Sequence, residues 1–122
     1  MSGIIEKELS FMTIRAQISR IGDDYHIMVR GGREHIGCTV LAVPRPSLTG
    51  DGSISSTASV LNVTGHKDEQ ICRYLAESLC ARKNAVVVCT GGVHFDNITR
   101  RQIAEVMEAA RQIAAELGEF ED

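Results

Sequence analysis

The segment Ala85-Val86-Val87-Val88-Cys89 is a continuous apolar run that is rich in β-branched residues. Such a run is typical of a central β-strand that is covered on both faces. On both sides of it, from 67 to 82 and from 99 to 117, apolar residues recur at helical spacing. The C-terminal half of the chain is therefore predicted to form a helix, a buried strand and a second helix.

The second of these helices has a clear start signal. Thr99 is placed to cap it, and Gln102 follows at the spacing of a capping box. Ile98 and Ile103 occupy the two positions of a hydrophobic staple. Gly118 fits a cap at the C-terminal end.

Four strands are predicted in the N-terminal half, at 12–21, 25–30, 35–43 and 54–63. Apolar and polar residues alternate in the first two, which the turn Gly22-Asp23-Asp24 joins as a hairpin. The segment Ser47 to Ser53 is rich in Gly and Asp and is predicted to be a flexible loop, suited to act as a mobile flap.

These elements predict an α+β fold in which a four-stranded antiparallel meander is followed by a β-α-β-α unit. The result would be a mixed sheet with both helices in the C-terminal half. A right-handed crossover through the first helix would place the fifth strand parallel to the fourth. The chain, 1–122, has the length of one domain with a sizeable core.

Composition argues against several function classes. The formal net charge of −3 gives no electrostatic footprint for nucleic acid. Met1–Glu8 carries acidic residues where a signal peptide needs basic ones, and no apolar run approaches the ~20 residues of a membrane span. The 4 cysteines lie in apolar stretches without Cys-x-x-Cys spacing, which favours buried reduced thiols. We therefore expect a cytoplasmic protein that binds neither nucleic acid nor membrane.

A His-x-Asp unit occurs twice, in Thr64-Gly65-His66-Lys67-Asp68 and in Thr90-Gly91-Gly92-Val93-His94-Phe95-Asp96. Each unit follows a predicted strand and precedes a predicted helix. If the two strands run parallel in one sheet, both junctions open onto the same edge, where open α/β sheets bind their ligands. Two imidazoles and two carboxylates would then form one candidate site.

Such a site could perform three kinds of chemistry. His66, Asp68, His94 and Asp96 could bind a divalent metal such as zinc, iron or manganese, although their spacing matches no standard local zinc pattern. A His polarised by an Asp could instead act as a general base, but no partner nucleophile is evident. A third use is ligand capture, in which backbone N–H groups hold an anion.

Ligand capture is favoured by the segment 90–93, which is predicted to be a glycine-rich turn. The backbone of Gly91 and Gly92 could approach a phosphate, with Arg100 and Arg101 at the start of the following helix and Lys67 at the matching place in the first unit. The spacing is neither a Walker loop nor a dinucleotide fingerprint. A phosphate-bearing small molecule is therefore the predicted guest.

A purely structural interpretation stays open. His66 and His94 could cap helices or bond neighbouring backbone, and the glycines could serve turn geometry alone. Phe95 suits either a ligand-facing position or the core at the start of a helix. His26 and His35 have no comparable context and are predicted to be ordinary surface residues.

The segments Gly65-His66-Lys67-Asp68-Glu69 and 92–99, together with Gly32 to Gly37, resemble the LpdD-like proteins, small subunits associated with hydroxybenzoate decarboxylases. The resemblance implies a non-catalytic accessory protein. Such a protein would carry prenylated FMN from a UbiX-like flavin prenyltransferase to a UbiD-like decarboxylase. The phosphate would then lie at the glycine turn and the arginines, and the flat ring against Phe95, with Met28 or aliphatic side chains as cover.

The leading prediction is a carrier of prenylated FMN or a similar phosphate-bearing cofactor, in a pocket that a symmetric homodimer could complete. Its proposed binding residues are Gly65, His66, Lys67, Asp68, Gly91, Gly92, His94, Phe95, Asp96 and Arg100. The alternatives are a small metal-dependent enzyme that uses the four His and Asp side chains, and a structural decarboxylase subunit.

Overall fold

The computed structural model describes residues 2–63 and 68–120, leaving aside the side chains of Ser2 and Asp68. Its strands are β1 (Ser2–Glu8), β2 (Thr13–Ile21), β3 (Asp24–Gly32), β4 (Cys38–Pro46), β5 (Ile54–Asn62) and β6 (Val87–His94). Its helices are α1 (Asp68–Lys83) and α2 (Arg100–Gly118).

The six strands form one sheet in the order β1-β2-β3-β6-β4-β5. Strands β3 and β6 pair in parallel, and the other neighbouring strands pair antiparallel. This mixed sheet with two helices confirms the predicted α+β class.

The strand order differs from the predicted meander in one respect. Strand β6 is inserted between β3 and β4, so its parallel partner is β3 rather than β5. β5 and β6 still run in the same direction, because both are antiparallel to β4. The most continuously apolar strand thus takes a central place, where neighbours shield both of its edges. Strand β1 was not predicted.

The core lies on one face of the sheet, under both helices. It is built from alternate strand residues, for example Ile14, Ile27 and Val40, which pack with Leu75 of α1 and Ile113 of α2. The prediction that the central strand is covered on both faces is wrong. Residues such as Val88 lie on the opposite face, which carries no helix in the part of the chain that the structure describes, and are half-buried.

The predicted capping box and the predicted burial of the cysteines are confirmed. The capping box of α2 is present, with the Thr99 hydroxyl accepting from the Gln102 backbone N–H and the Gln102 side chain accepting from that of Thr99. All four cysteines are buried and unbridged. No helix among residues 2–63 and 68–120 is long and apolar enough to cross a bilayer.

The predicted flap, 47–53, joins β4 to β5 and is closed by a hydrogen bond from the Ser47 N–H to the Ser53 carbonyl, 2.9 Å long. It follows the C-terminal end of β4, whereas the second His-x-Asp unit lies beyond the N-terminal end of that strand. The loop is therefore at the opposite end of the sheet from the candidate site.

Candidate functional site

The strands that lead into the two His-x-Asp units, β5 and β6, end beside each other at one edge of the sheet. Asn62 of β5 and Gly91 of β6 both pair with Cys38 of β4, one on each side. With strands ~4.8 Å apart, the Cα atoms of Asn62 and Gly91 are about 9.6 Å apart. Strands β5 and β6 therefore end at the same edge of the sheet, as the sequence predicts for the strands that precede the two units.

The first unit itself cannot be followed further. Residues 64–67, which include Gly65, His66 and Lys67, and the Asp68 side chain lie outside the described residues. The convergence of His66 on His94 therefore stays a prediction.

In the second unit, His94 is the last residue of β6 and is hydrogen-bonded to Asp96. The His94 Nε2 and Asp96 Oδ1 atoms are 2.8 Å apart, and the two side chains are 39% and 74% exposed. When Nε2 carries a proton, the Asp96 carboxylate accepts its hydrogen bond, which fixes the orientation of the ring. The pair faces solvent, where a ligand can reach it.

The segment 90–93 is not a turn, and that prediction is wrong. Gly91 and Gly92 lie inside β6, where Gly91 pairs with Val29 and Gly92 with Arg30. Gly91 has a φ of +128°, and a Cβ there would collide with the Val29 carbonyl oxygen. Close approach of two backbones therefore explains this glycine. The assignment of Gly91 and Gly92 to cofactor binding stays a prediction.

The connection 33–37 crosses the end of β6 on its way from β3 to β4. The Arg33 N–H donates to the His94 carbonyl at 2.9 Å, and the Gly37 N–H donates to the Gly91 carbonyl at 2.8 Å. These two bonds hold the connection over the last residues of β6, from Gly91 to His94.

This crossing brings His35 beside His94, although its sequence context predicts an ordinary surface residue. Its ring centroid is 5.9 Å from that of His94, at an interplanar angle of 87°. Its Nδ1 is 3.0 Å from the Arg33 carbonyl oxygen. One signal in the sequence points to His35: it lies within Gly32 to Gly37, a segment that carries the family resemblance.

Phe95 packs edge-on against Phe11, with ring centroids 4.8 Å apart and ring planes at 72°. Phe11 lies in the connection between β1 and β2, which a hydrogen bond from the Leu9 N–H to the Met12 carbonyl closes at 2.8 Å. Phe95 remains 37% exposed. It is therefore a wall residue rather than a core residue.

A cleft of about 380 Å³ opens among these side chains. Its lining residues are Phe11, Met12, Gly32, Arg33, His94, Phe95 and Asp96. A neighbouring cleft of about 300 Å³ shares Met12 and Gly32 and continues to Arg15 and Arg30. Both volumes are typical of the lower range for small-molecule sites.

The arginines of the two clefts differ in their partners. Arg15 forms an ion pair with Glu6 at 2.6 Å, and Arg30 one with Glu34 at 3.3 Å. Among the described residues, the Arg33 guanidinium has no carboxylate partner. Arg33 is therefore the cation most readily available to an anionic ligand.

Two other predicted contributors lie elsewhere. Arg100 is exposed at the start of α2 and lines neither cleft. Met28 is on the sheet face opposite to the helices and also lines neither cleft. Met12 is instead the methionine in the walls of both.

The structure describes only two of the four side chains that the hypothesis of a metal site requires. His94 and Asp96 supply two of its four donors, and the other two side chains are not described. Within residues 2–63 and 68–120, no group of three or more His, Cys, Asp or Glu side chains could hold a metal ion. The four-ligand site stays a prediction.

A chain in the crystal structure of a chaperone complex for yeast 20S proteasome assembly has a similar fold. The match has a TM-score of 0.54 and 12% sequence identity, and it covers 95% of this chain and 94% of that chain. At this identity the likeness concerns the fold alone. The comparison with curated proteins yields no match.

The family model of the prenylated flavin chaperone LpdD-like domain matches residues 9–120. The matched range includes every lining residue of both clefts. The chain therefore belongs to the LpdD-like family of prenylated flavin chaperones.

Proposed function

We propose that this protein carries prenylated FMN in the cleft beside His94. It receives the cofactor from a UbiX-like flavin prenyltransferase and delivers it to a UbiD-like hydroxybenzoate decarboxylase in the cytoplasm. The observation that supports this best is the composition of the cleft. It offers to one ligand an aromatic pair, an oriented imidazole, and an arginine that has no carboxylate partner among the described residues.

The apolar side of the cleft suits a flavin ring. Phe11 and Phe95 present aromatic surface, and Met12 supplies a flexible thioether that adapts to a flat ring. Met12 thus takes the covering role that the sequence predicts for Met28.

We place the cofactor phosphate at Arg33. A guanidinium binds phosphate through two parallel hydrogen bonds, and this one has no competing carboxylate among the described residues. Arg15 and Arg30 lie in the adjoining cleft, but each already binds a carboxylate. Arg33 is preferred to Gly91 and Gly92 because those residues lie in a paired strand.

His94 would recognise the polar edge of the ring. In the neutral tautomer whose Nε2–H donates a hydrogen bond to Asp96, the His94 Nδ1 is unprotonated. This Nδ1 can accept a hydrogen bond from a flavin N–H. The partial exposure of both side chains favours a carrier, because a carrier must release its ligand as well as hold it.

The test is co-expression with a flavin prenyltransferase, followed by purification, visible absorbance and mass spectrometry of the bound ligand. We expect stoichiometric prenylated FMN, and loss of most of it in Arg33→Gln. Arg111→Gln is the matched control, because Arg111 is bound to Glu108 on α2, away from the cleft. The purified complex should activate a cofactor-free decarboxylase.

Two results would overturn the proposal. One is a protein that stays colourless with and without the prenyltransferase yet co-purifies with a decarboxylase, which would favour a structural subunit. The other is stoichiometric zinc, iron or manganese that is lost in His94→Ala, which would favour the metal-dependent enzyme.

A further inference from the structure

Strand β5 is one of the two edge strands of the sheet, and the direction of its backbone groups follows from two hydrogen bonds. The Ser47 N–H donates to the Ser53 carbonyl at 2.9 Å at one end of the β4–β5 ladder, and the Val63 N–H donates to the Gly37 carbonyl at 2.8 Å at the other. Because backbone groups alternate in direction along a strand, the odd-numbered residues of β5 bond β4 and the even-numbered residues point outward. The outward residues are Ile54, Ser56, Ala58, Val60 and Asn62.

The outward backbone groups of β5 are available to another strand. Within residues 2–63 and 68–120, the sheet ends at β5 and no strand pairs with its outer side. β5 also contains no Asp, Glu, Lys, Arg or Pro, the residues that natural edge strands use to prevent pairing. Such an edge can accept an extended peptide as an additional strand.

The other edge strand, β1, is protected. It contains Glu6, Lys7 and Glu8, and Lys7 forms an ion pair with Glu116 of α2. Charged side chains on an edge strand oppose the addition of another strand. The contrast between the two edges indicates that β5 is the one suited to pairing.

Helix α1 presents charged side chains along the β5 edge. The Asn62 Nδ2 donates to the Glu69 Oε1 at 2.9 Å, which places Glu69 at the end of β5. Arg73 and Glu77 follow at intervals of four residues, and Arg73 pairs with Glu69 at 3.7 Å and with Glu77 at 2.5 Å. We term Glu69, Arg73 and Glu77 the α1 stripe. Its two carboxylates and one guanidinium leave a net negative charge beside the edge.

The outward residues of β5 have their side chains on the helix side of the sheet. Asn62 pairs with the buried Cys38, and Ala58 and Val60 pack against the core. Ser56 and Ala58 are small, so a long side chain opposite them on an added strand has room to extend toward the α1 stripe.

Charge indicates which segment fits this edge. The negative charge of the α1 stripe favours Lys or Arg at alternate positions of the added strand, where side chains lie on the helix side. A second copy of β5 does not supply them, because β5 has no basic residue. A basic extended segment of another protein is therefore the better match.

We propose that β5 binds an extended segment of a partner protein as an additional strand, with Lys or Arg at alternate positions facing the α1 stripe. Since β5 ends at the same edge of the sheet as β6, which carries His94, the partner would be held near the cleft. The inference stands without the flavin proposal, because no residue of β5 lines either cleft.

The test uses the full chain and a synthetic peptide as long as β5 in which Lys and Val alternate. A peptide in which Glu and Val alternate is the comparison. Hydrogen exchange followed by NMR reports on each backbone amide separately. We expect the Lys peptide to slow exchange of the Ser56, Ala58 and Val60 amides about tenfold or more and to leave the amides of β1 unchanged.

Ser56→Pro removes one outward N–H and leaves the bonds between β4 and β5 in place, since proline is tolerated at such positions of edge strands. It should raise the dissociation constant of the Lys peptide about fivefold or more. Glu8→Pro is the matched control at the other edge, because the Leu9 N–H bonds the Met12 carbonyl and Glu8 therefore points outward. This control should bind the peptide like the wild type, and circular dichroism checks the fold of both variants.

Glu77→Lys tests the charge of the α1 stripe without a change in the strand. It should weaken binding of the Lys peptide and strengthen binding of the Glu peptide, each about fivefold. Glu108→Lys makes the same change of charge on α2, where Glu108 pairs with Arg111, and should alter neither affinity by more than about twofold.

Three results would contradict the proposal. The first is exchange of the Ser56, Ala58 and Val60 amides that the Lys peptide leaves unchanged. The second is equal affinity of this peptide for the wild type, Ser56→Pro and Glu77→Lys. The third is protection of the same amides that appears without peptide as the protein concentration is raised, which would assign the edge to a second copy of the chain.

Discussion

The imidazole ring of His35 lies 5.9 Å from that of His94, with the two ring planes at 87°. The contact joins residues far apart in sequence, and it exists because the connection 33–37 is bonded at both ends to β6. His35 thus contacts His94, a wall residue of the cleft, without lining the cleft itself.

His35→Ala should weaken flavin retention about fivefold if the carrier proposal holds, since the edge-on ring contact that positions His94 contributes ~1 kcal/mol. Retention is measured by equilibrium dialysis of the purified complex. His26→Ala is the matched control, because His26 bonds Thr90, which lines neither cleft, whereas His35 contacts His94 of the cleft wall. Equal flavin retention in the two variants would show that His35 does not contribute to the site.

Gly32→Ala should destabilise the protein far more than Gly22→Ala. Both glycines have a φ of +61°, but a Cβ at Gly32 would collide with the His94 carbonyl oxygen, whereas Gly22 has open space around it. We expect a loss of ~1 kcal/mol at Gly22 and at least ~2 kcal/mol more at Gly32, measured by urea unfolding. Similar losses would show that β3 can move away from the end of β6 without cost.

Thr99→Ala should cost the protein ~1 kcal/mol in the free energy of unfolding, because it removes the side-chain acceptor of the capping box. Thr99→Ser keeps the hydroxyl and should lose much less. Thermal or urea unfolding of both variants measures the difference. A Thr99→Ala protein as stable as the Thr99→Ser protein would contradict the role of the cap.

Ser10→Ala should raise the pKa of Glu105 toward its ordinary value. In the folded protein, hydrogen bonds from the Ser10 hydroxyl and backbone N–H, helped by Arg101, lower the pKa of this carboxyl group. A lowered folded-state pKa stabilises the protein above the unfolded pKa, and this contribution is lost as pH falls through the folded value. Ser10→Ala should therefore weaken that part of the acid dependence.

Carbon-13 titration of the Glu105 carboxyl group measures the shift. Asp51 is the internal control, since its pKa is lowered by hydrogen bonds within the distant 47–53 loop, chiefly from Ser53. An unchanged Glu105 titration in Ser10→Ala would contradict the assignment. A shift in the pKa values of both Glu105 and Asp51 would indicate a change in the whole protein instead. The hydrogen bonds between Ser10 and Glu105 also tie the β1–β2 connection, which contains Phe11, to helix α2.

Phe11 and Phe95 should show coupled energetics. An edge-on aromatic pair contributes about 0.5–1.5 kcal/mol beyond the burial of its area. A double-mutant cycle with Phe11→Leu and Phe95→Leu, measured by urea unfolding, should return a coupling energy in that range. Purely additive losses would mean that the two rings are neighbours without a specific interaction.

Much of the fold was predictable because its signals are local. Alternation located β2 and β3, helical periodicity located both helices, and Thr99 with Gln102 marked the start of α2. The insertion of β6 between β3 and β4 was not predictable in the same way. Strand order depends on pairing between distant segments, which periodicity does not report.

The site was predictable only in part, for two physical reasons. Glycine serves both tight turns and close backbone approach, so the sequence predicts a turn at Gly91, which lies in a strand. His35 carries no local pattern of its own. Its place beside His94 follows from a chain crossing that exists only in the folded sheet.

The insertion of β6 has a consequence for the order in which the protein acquires its cleft during synthesis. A chain that has emerged only as far as Asn84 contains β1 to β5, but the β3 and β4 edges have no strand between them. His94, Phe95 and Asp96 arrive with the same segment that closes this gap. A cofactor would thus meet its complete binding wall only after the two halves of the sheet are joined, so that binding reports completed folding.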